Sequence, residues 1–167
     1  MNSRFRIKIA LFLINHFLSV THFWKIKNCL LRWAGCKIGN NTSIVGPIYF
    51  STKVFLSIGD NCWVGRDFHI EGDGKVSIGN NCNFAPSVVL LTGTHEIGNY
   101  QSRAGKGITR AISIGDGNWL CARCMVLPGV RIGSMNIIAA GAVVNRNITN
   151  DVLVAGVPAK IVRKLEQ

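Results

Sequence analysis

Four histidines are the places to look for proton transfer in this chain, and they are unequal. His95 stands in the run Gly93-Thr94-His95-Glu96, ahead of a polar, glycine-rich stretch from Asn99 to Thr109 that carries Arg103 and Lys106. An imidazole titrates near neutrality, so an accessible histidine can take a proton from a hydroxyl and hand it on. Glu96 beside it can orient or polarise the ring, although adjacent residues on a strand point to opposite faces. His69 sits in a regular stretch with its side chain directed outward, and is a candidate for substrate contact. His16 and His22 fall in an apolar N-terminal segment and read as structural. Cys121 and Cys124 spell C-x-x-C, but no second pair follows at zinc spacing and no redox-fold pattern surrounds them. With no H-x-x-x-x-H pair and no phosphate-binding glycine loop, no metal is expected.

The elements that hold these residues are legible in one spacing. Ile114, Leu120, Val126, Ile132, Ile138 and Val144 recur every six residues, most of them followed by Gly or Ala. Ile38-Gly39-Asn40-Asn41, Ile58-Gly59-Asp60-Asn61 and Ile78-Gly79-Asn80-Asn81 recur every twenty, with Ile44, Val64, Ile70, Phe84 and Leu90 between them. Such a pattern predicts coils of three short strands with a corner after each, stacked into a triangular prism whose inward aliphatic column is buried only by neighbouring coils. The Gly-Asn and Gly-Asp pairs suit corners, because Gly accepts positive φ and Asn or Asp tolerates it. Two extra residues per coil are absorbed at Lys53 to Ser57 and at Gly72 to Ser77. The pattern lapses after Leu90 and resumes at Ile114, so His95 lies in an excursion from the coil, at about residues 92–111, where function in a regular solenoid is concentrated.

A chain of 167 residues with 48% hydrophobic content fits one domain with an ample core. Cys62, Cys82 and Cys124 fall at inward positions of the repeat and read as small core residues, which points to a reducing, cytoplasmic setting. Net charge is +11, and no acidic residue precedes Asp60. Nucleic acid is the general partner of such a basic stretch, but no nucleic-acid-binding signature accompanies it. Residues 1–35 form an apolar, basic, helical segment ahead of a repeat domain at 36–165. Its uncharged run from Ile9 to Trp24 is too short and too polar to span a bilayer. Two compatible roles remain: a helical cap on the open end of the coil, and peripheral association with the inner face of a membrane through Trp24, Trp33 and the basic side chains.

The run from Ile114 through Trp119, Pro128 and Gly133, then Ile138 to Val144 and Ala155-Gly-Val-Pro-Ala-Lys160-Ile-Val-Arg163, resembles the signature of the hexapeptide-repeat O-acetyltransferases. With Thr94-His95 and the central repeats the resemblance covers about residues 36 to 165. It implies an all-β fold, a left-handed parallel β-helix with a short C-terminal extension, and a homotrimer with each active site in a cleft between neighbouring β-helices. It implies acetyl-CoA as donor and a carbohydrate hydroxyl as acceptor, in bacterial surface-polysaccharide assembly. His95 matches the family's catalytic base. Trp119, Ala122 and Ala140 match positions lining the pantetheine channel; Lys160 and Arg163 match those meeting the nucleotide phosphates, with Arg146 a further candidate. Asp67 matches loosely a position contacting the acceptor. Cys121, where the family has Gly, and the bulky Arg123 depart from the pattern at the channel's edge. Acetylation of serine or of an amino sugar, and a noncatalytic β-helix docking on a membrane or protein, are the alternative readings.

Overall fold

The computed structural model describes residues 3–51, 53 and 55–166. Its coils have three faces. The first carries the parallel strands Lys37–Ile38, Phe55–Ile58, Lys75–Ile78, Ile112–Ile114 and Arg131–Ile132. The second carries Ser43–Ile44, Trp63–Val64, Asn83–Phe84, Trp119–Leu120, Ile137–Ile138 and Val152–Ala155, closed by the antiparallel strand Lys160–Lys164. The third carries Ile48–Phe50, Phe68–Glu71, Val89–Leu91, Met125–Val126 and Val143–Val144. The parallel strands visit the faces in rotation, so each pairs with its counterpart one coil away and not with its neighbour in sequence.

The sixfold aliphatic column is the core. Ile114, Leu120, Val126, Ile132, Ile138 and Val144 are all at most 4% exposed, and each such side chain contributes roughly 1.5–3 kcal/mol by leaving water. Phe68 and Phe84 meet edge to face inside the prism, ring centroids 5.3 Å apart.

The corners between the first and second faces correct one expectation. Positive φ falls on the fourth residue of each repeat, at Asn41, Asn61 and Asn81, and later at Gly117, Met135 and Asp151. Gly39, Gly59 and Gly79 are required for a different reason: a Cβ on Gly59 would lie 2.7 Å from the Gly79 carbonyl carbon, and one on Gly79 2.8 Å from that of Gly115. The glycines stack because backbone lies on backbone. Inside this corner Thr42, Cys62, Cys82, Asn118 and Asn136 form a buried column. The Cys62 thiol donates to Gly79 O at 3.2 Å and the Cys82 thiol to Gly115 O at 3.1 Å, the role that the Asn118 amide plays toward Gly133 O at 2.7 Å. The inward cysteines therefore satisfy carbonyls as well as fill space.

The N-terminal segment is two helices, α1 (Ser3–Phe17) and α2 (Trp24–Trp33), which cover the first coil. An end coil exposes unpaired strand edges, and here each of its three strands is met by a helix side chain. The Asn15 amide donates to Ile48 O at 2.8 Å and accepts from Ile48 N at 2.9 Å; Asn28 donates to Thr42 O at 2.7 Å; Arg32 donates to Ile38 O and Gly39 O, both at 2.9 Å. Ile7, Ala10, Ile14 and Leu31 bury against the same end. Lys27 is wholly buried there, its ammonium donating to Val20 O at 2.6 Å; burial pushes its pKa down.

Candidate functional site

The excursion at residues 92–111 is ordered as a β-hairpin, with Gly93–Ile97 paired antiparallel to Ala104–Thr109. It leaves the prism at the corner between the third and first faces. Thr92 anchors its root: the hydroxyl accepts from Gly74 N at 3.0 Å and donates to Glu71 O at 2.9 Å, one coil below. His95 stands opposite Gly107, where even a Cβ would lie no closer than 3.9 Å to the imidazole, an ordinary contact.

A bulge follows at once. His95 pairs with Gly107 but Ile97 with Ala104, so the strand alternation is broken at Glu96. His95 and Glu96 both line one open recess of about 500 Å³, with Thr94, Arg110, Leu127 and Asn145 among its other walls. No hydrogen bond or ion pair joins His95 to Glu96 among the described residues. The imidazole is exposed and the chain itself does not tether it.

The two other residues with expected acceptor contacts lie apart from one another. His69 projects from the third face, stacked on Tyr49 with ring centroids 4.5 Å apart, its Nδ1 3.8 Å from a Glu71 carboxylate oxygen. Glu71 pairs with Leu91 at the foot of the hairpin. His69 therefore shares the hairpin's face, about one coil toward the N-terminus. Asp67 occupies a left-handed corner (φ 54°) between the second and third faces, its N–H donating to Pro47 O at 2.7 Å and its carboxylate 3.5 Å from Arg66. That backbone requirement alone accounts for a short polar residue there.

The other candidates form a second group. Trp119 projects from the second face, half exposed. It shares a cross-strand row with Trp63 and Asn83, and together with Phe84 and Ala85 they line an open recess of about 420 Å³. Trp63 and Asn83 are residues that motif reading passed over. Their signal was available: both occupy the outward position, one residue before an inward one, that Trp119 occupies in its own coil.

Around the corner toward the third face, Ala122 and Ala140 lie on adjacent coils, linked through Gly141 N to Ala122 O at 2.9 Å. Ala140 is exposed, and a Cβ on Gly141 would meet nothing within 4 Å. This is a bare ledge. Arg123 takes the left-handed corner position (φ 59°) beside Ala122 and is exposed, while Cys121 is half-buried. Lys160 and Arg163 lie on the closing strand of the second face, both exposed, and neither forms an ion pair among the described residues. A ledge of small residues leading to unpaired cations fits an extended donor with an anionic end. Arg146 stands elsewhere, between the third and first faces, at the corner from which the hairpin also leaves.

One chain therefore does not bring its candidates together. His95, Glu96 and Arg146 occupy the edge between the third and first faces; Trp119, Lys160 and Arg163 occupy the second face, and Ala122 and Ala140 the edge between it and the third. No cluster of three or more metal-ligating side chains is found among the described residues.

Comparison with known proteins follows the same lines. The family of bacterial transferase hexapeptide repeats (six repeats) matches residues 111–146. Galactoside O-acetyltransferase of Escherichia coli (strain K12) is 30% identical over 139 residues, which are 83% of this chain and 68% of that protein. WcaF of the same organism, provisionally named a colanic acid biosynthesis acetyltransferase, is 31% identical over 135 residues, 81% of this chain and 72% of that protein. The structure of the hexapeptide-repeat acetyltransferase VCA0836 of Vibrio cholerae O1 biovar eltor, complexed with acetyl coenzyme A, superposes with a TM-score of 0.86 at 25% identity, covering 99% of this chain and 88% of that one. The coil is left-handed, the hand of the β-helix acetyltransferases it matches.

Proposed function

The chain belongs to the hexapeptide-repeat acetyltransferase family, and from that premise we propose that it moves an acetyl group from acetyl-CoA to a hydroxyl of a sugar, in a cleft that two copies of the chain build together. The observation that carries this reading is the division of the candidate residues between two edges of one prism. An unattached imidazole needs a donor-binding wall opposite it, and a second copy supplies the ledge that the first lacks. Three copies around an axis close the ring, giving a homotrimer with three equivalent clefts.

In this reading the acyl donor lies along the Ala122–Ala140 ledge, its pantetheine against small residues and Trp119, its phosphates toward Lys160 and Arg163. His95 of the neighbouring copy accepts the proton of the acceptor hydroxyl as the oxygen attacks the thioester carbonyl. The tetrahedral intermediate collapses with cleavage of the carbon–sulfur bond, and the imidazolium returns the proton to the leaving thiolate. Free CoA and an acetylated sugar result. Glu96 lines the same recess. Tyr49 and His69, one coil away on the same face, are placed to contact further units of an oligosaccharide. The likeness to a galactoside enzyme and to WcaF supports a carbohydrate acceptor, and the extended surface supports a polysaccharide of the bacterial envelope.

The test is transfer of label from radioactive acetyl-CoA to a panel of mono- and oligosaccharides, serine and amino sugars, with His95→Ala as control. Alkali-labile label on a sugar, lost in the variant, is the expected result. Label on serine or on an amino nitrogen would replace the acceptor class, and no transfer to any acceptor, with no CoA binding, would favour a noncatalytic β-helix.

A further inference from the structure

Both N-terminal helices turn a second face away from the coil. On α1 the buried residues Ile7, Ala10 and Ile14 mark the packed side, and Phe5, Lys8, Phe12 and His16, three or four residues apart, mark the side diametrically opposite. On α2 the buried Lys27, Asn28 and Leu31 oppose Lys25, Ile26, Cys29 and Trp33. Phe5 and Phe12 are each 54% exposed and Phe17 is 69% exposed. The two faces are joined, since the Arg6 guanidinium lies 5.6 Å from the Trp33 ring centre. The capping of the coil explains the packed sides and leaves these outward sides unexplained.

We propose that this outward face of α1 and α2 docks on an anionic lipid bilayer. Two observations choose that occupant. Aromatic rings and cations share the surface, Phe5 and Phe12 with Lys8 on α1 and Trp33 with Lys25 on α2, the arrangement in which rings enter the acyl boundary and cations stay at the headgroups. Every charge on it is positive, and the first acid in the chain, Asp60, is held in a corner of the coil, where it accepts from Asn40 N at 2.6 Å. A second copy of the same face would bring cation against cation and dry neither, whereas an anionic leaflet supplies both an apolar layer and the missing counter-charge. No helix among the described residues is long and apolar enough to cross a membrane, so the face lies on the bilayer. Docked this way, the coil stands on the membrane by its N-terminal end, and the hairpin bearing His95 departs two coils above the first, roughly 10 Å further out at about 4.8 Å per step.

The test is flotation of the full chain with vesicles of phosphatidylcholine alone and with about 30 mol% phosphatidylglycerol, at about 0.1 M salt. Partition to the anionic vesicles is expected to be at least about tenfold stronger, and to fall about tenfold or more both in Lys8→Glu/Lys25→Glu and in Phe5→Ser/Phe12→Ser. The substituted side chains all point away from the packed side, and unchanged melting verifies that the variants fold. Equal recovery with the two vesicle types, or unimpaired binding by either double variant, overturns the proposal. So does a smaller sedimenting species for Phe5→Ser/Phe12→Ser, which would make the face a subunit contact. The readout is binding alone, so a failed acetyl-transfer reading leaves the proposal standing.

Discussion

Mixing two inactive variants should restore activity. His95→Ala removes the base and Ala140→Trp fills the ledge; the two residues stand on different edges of the prism. The His95 side chain is exposed and its imidazole makes no hydrogen bond among the described residues, so its loss should change folding stability by no more than about 0.5 kcal/mol. Its effect on rate should be about 10²- to 10⁴-fold, or roughly 3–5 kcal/mol of transition-state stabilisation. Ala140 is exposed beside the open position at Gly141, so an indole there blocks the ledge without entering the core. In a trimer reassembled at random from equal amounts, a cleft is intact when its histidine comes from the Ala140→Trp chain and its ledge from the His95→Ala chain. Each condition is met half the time, so about a quarter of clefts are whole. Acetyl transfer should therefore rise from about a hundredth of wild type or less to about a quarter. The assay is initial rate after denaturing, mixing and refolding differently tagged chains, with recovery of both tags in one particle as proof of exchange. Verified mixed particles no more active than the mean of their parents would refute a cleft shared between chains.

Replacing both Lys160 and Arg163 by Ala should raise the KM for acetyl-CoA with a smaller effect on kcat, because contacts remote from the thioester act equally in ground and transition states; an unchanged KM would move the phosphate site elsewhere. Gly79→Ala should destabilise by roughly 1–3 kcal/mol, since its Cβ would meet the Gly115 backbone, itself stacked on Gly133. Gly141→Ala, which costs only the left-handed φ of 69° in open space, should lose about 1 kcal/mol, and equal urea midpoints for the two would count against the stacking argument. Lys27 binds its proton less tightly in the fold than in the unfolded chain. Stability should therefore rise with pH between its lowered folded value and its ordinary 10.5, and be level above. Lys27→Met should flatten that rise in urea melts taken from neutral to alkaline pH, and an identical slope in both proteins would show that another group causes it.

The prism was readable because its core obeys a short translation. Residues six apart in sequence occupy equivalent inward positions, so Ile114 to Val144 announced a buried column that needs no knowledge of partners. The same spacing placed Cys62, Cys82 and Cys124 inside, and the lapse after Leu90 marked the hairpin. The corners were read correctly as corners and wrongly as to mechanism. A φ preference is local and suggests itself from residue type, but the closeness of Gly59 to Gly79 depends on the next coil, twenty residues away.

Other features needed the fold itself. Burial of Lys27 and the clasp of Asn15 on Ile48 join residues with no common period. Glu96 lines the His95 recess together with its neighbours, on a hairpin whose alternation is interrupted there by a bulge. Above all, the chain visits three faces in turn, so separation along the sequence does not measure separation in space: Trp63, Asn83 and Trp119 form one row, while His95 stands on a different edge from Trp119. The coil can be read from the order of residues alone, because that information is repeated every few positions. Which side chains share a face emerges on folding, because that depends on where each turn of the prism stops.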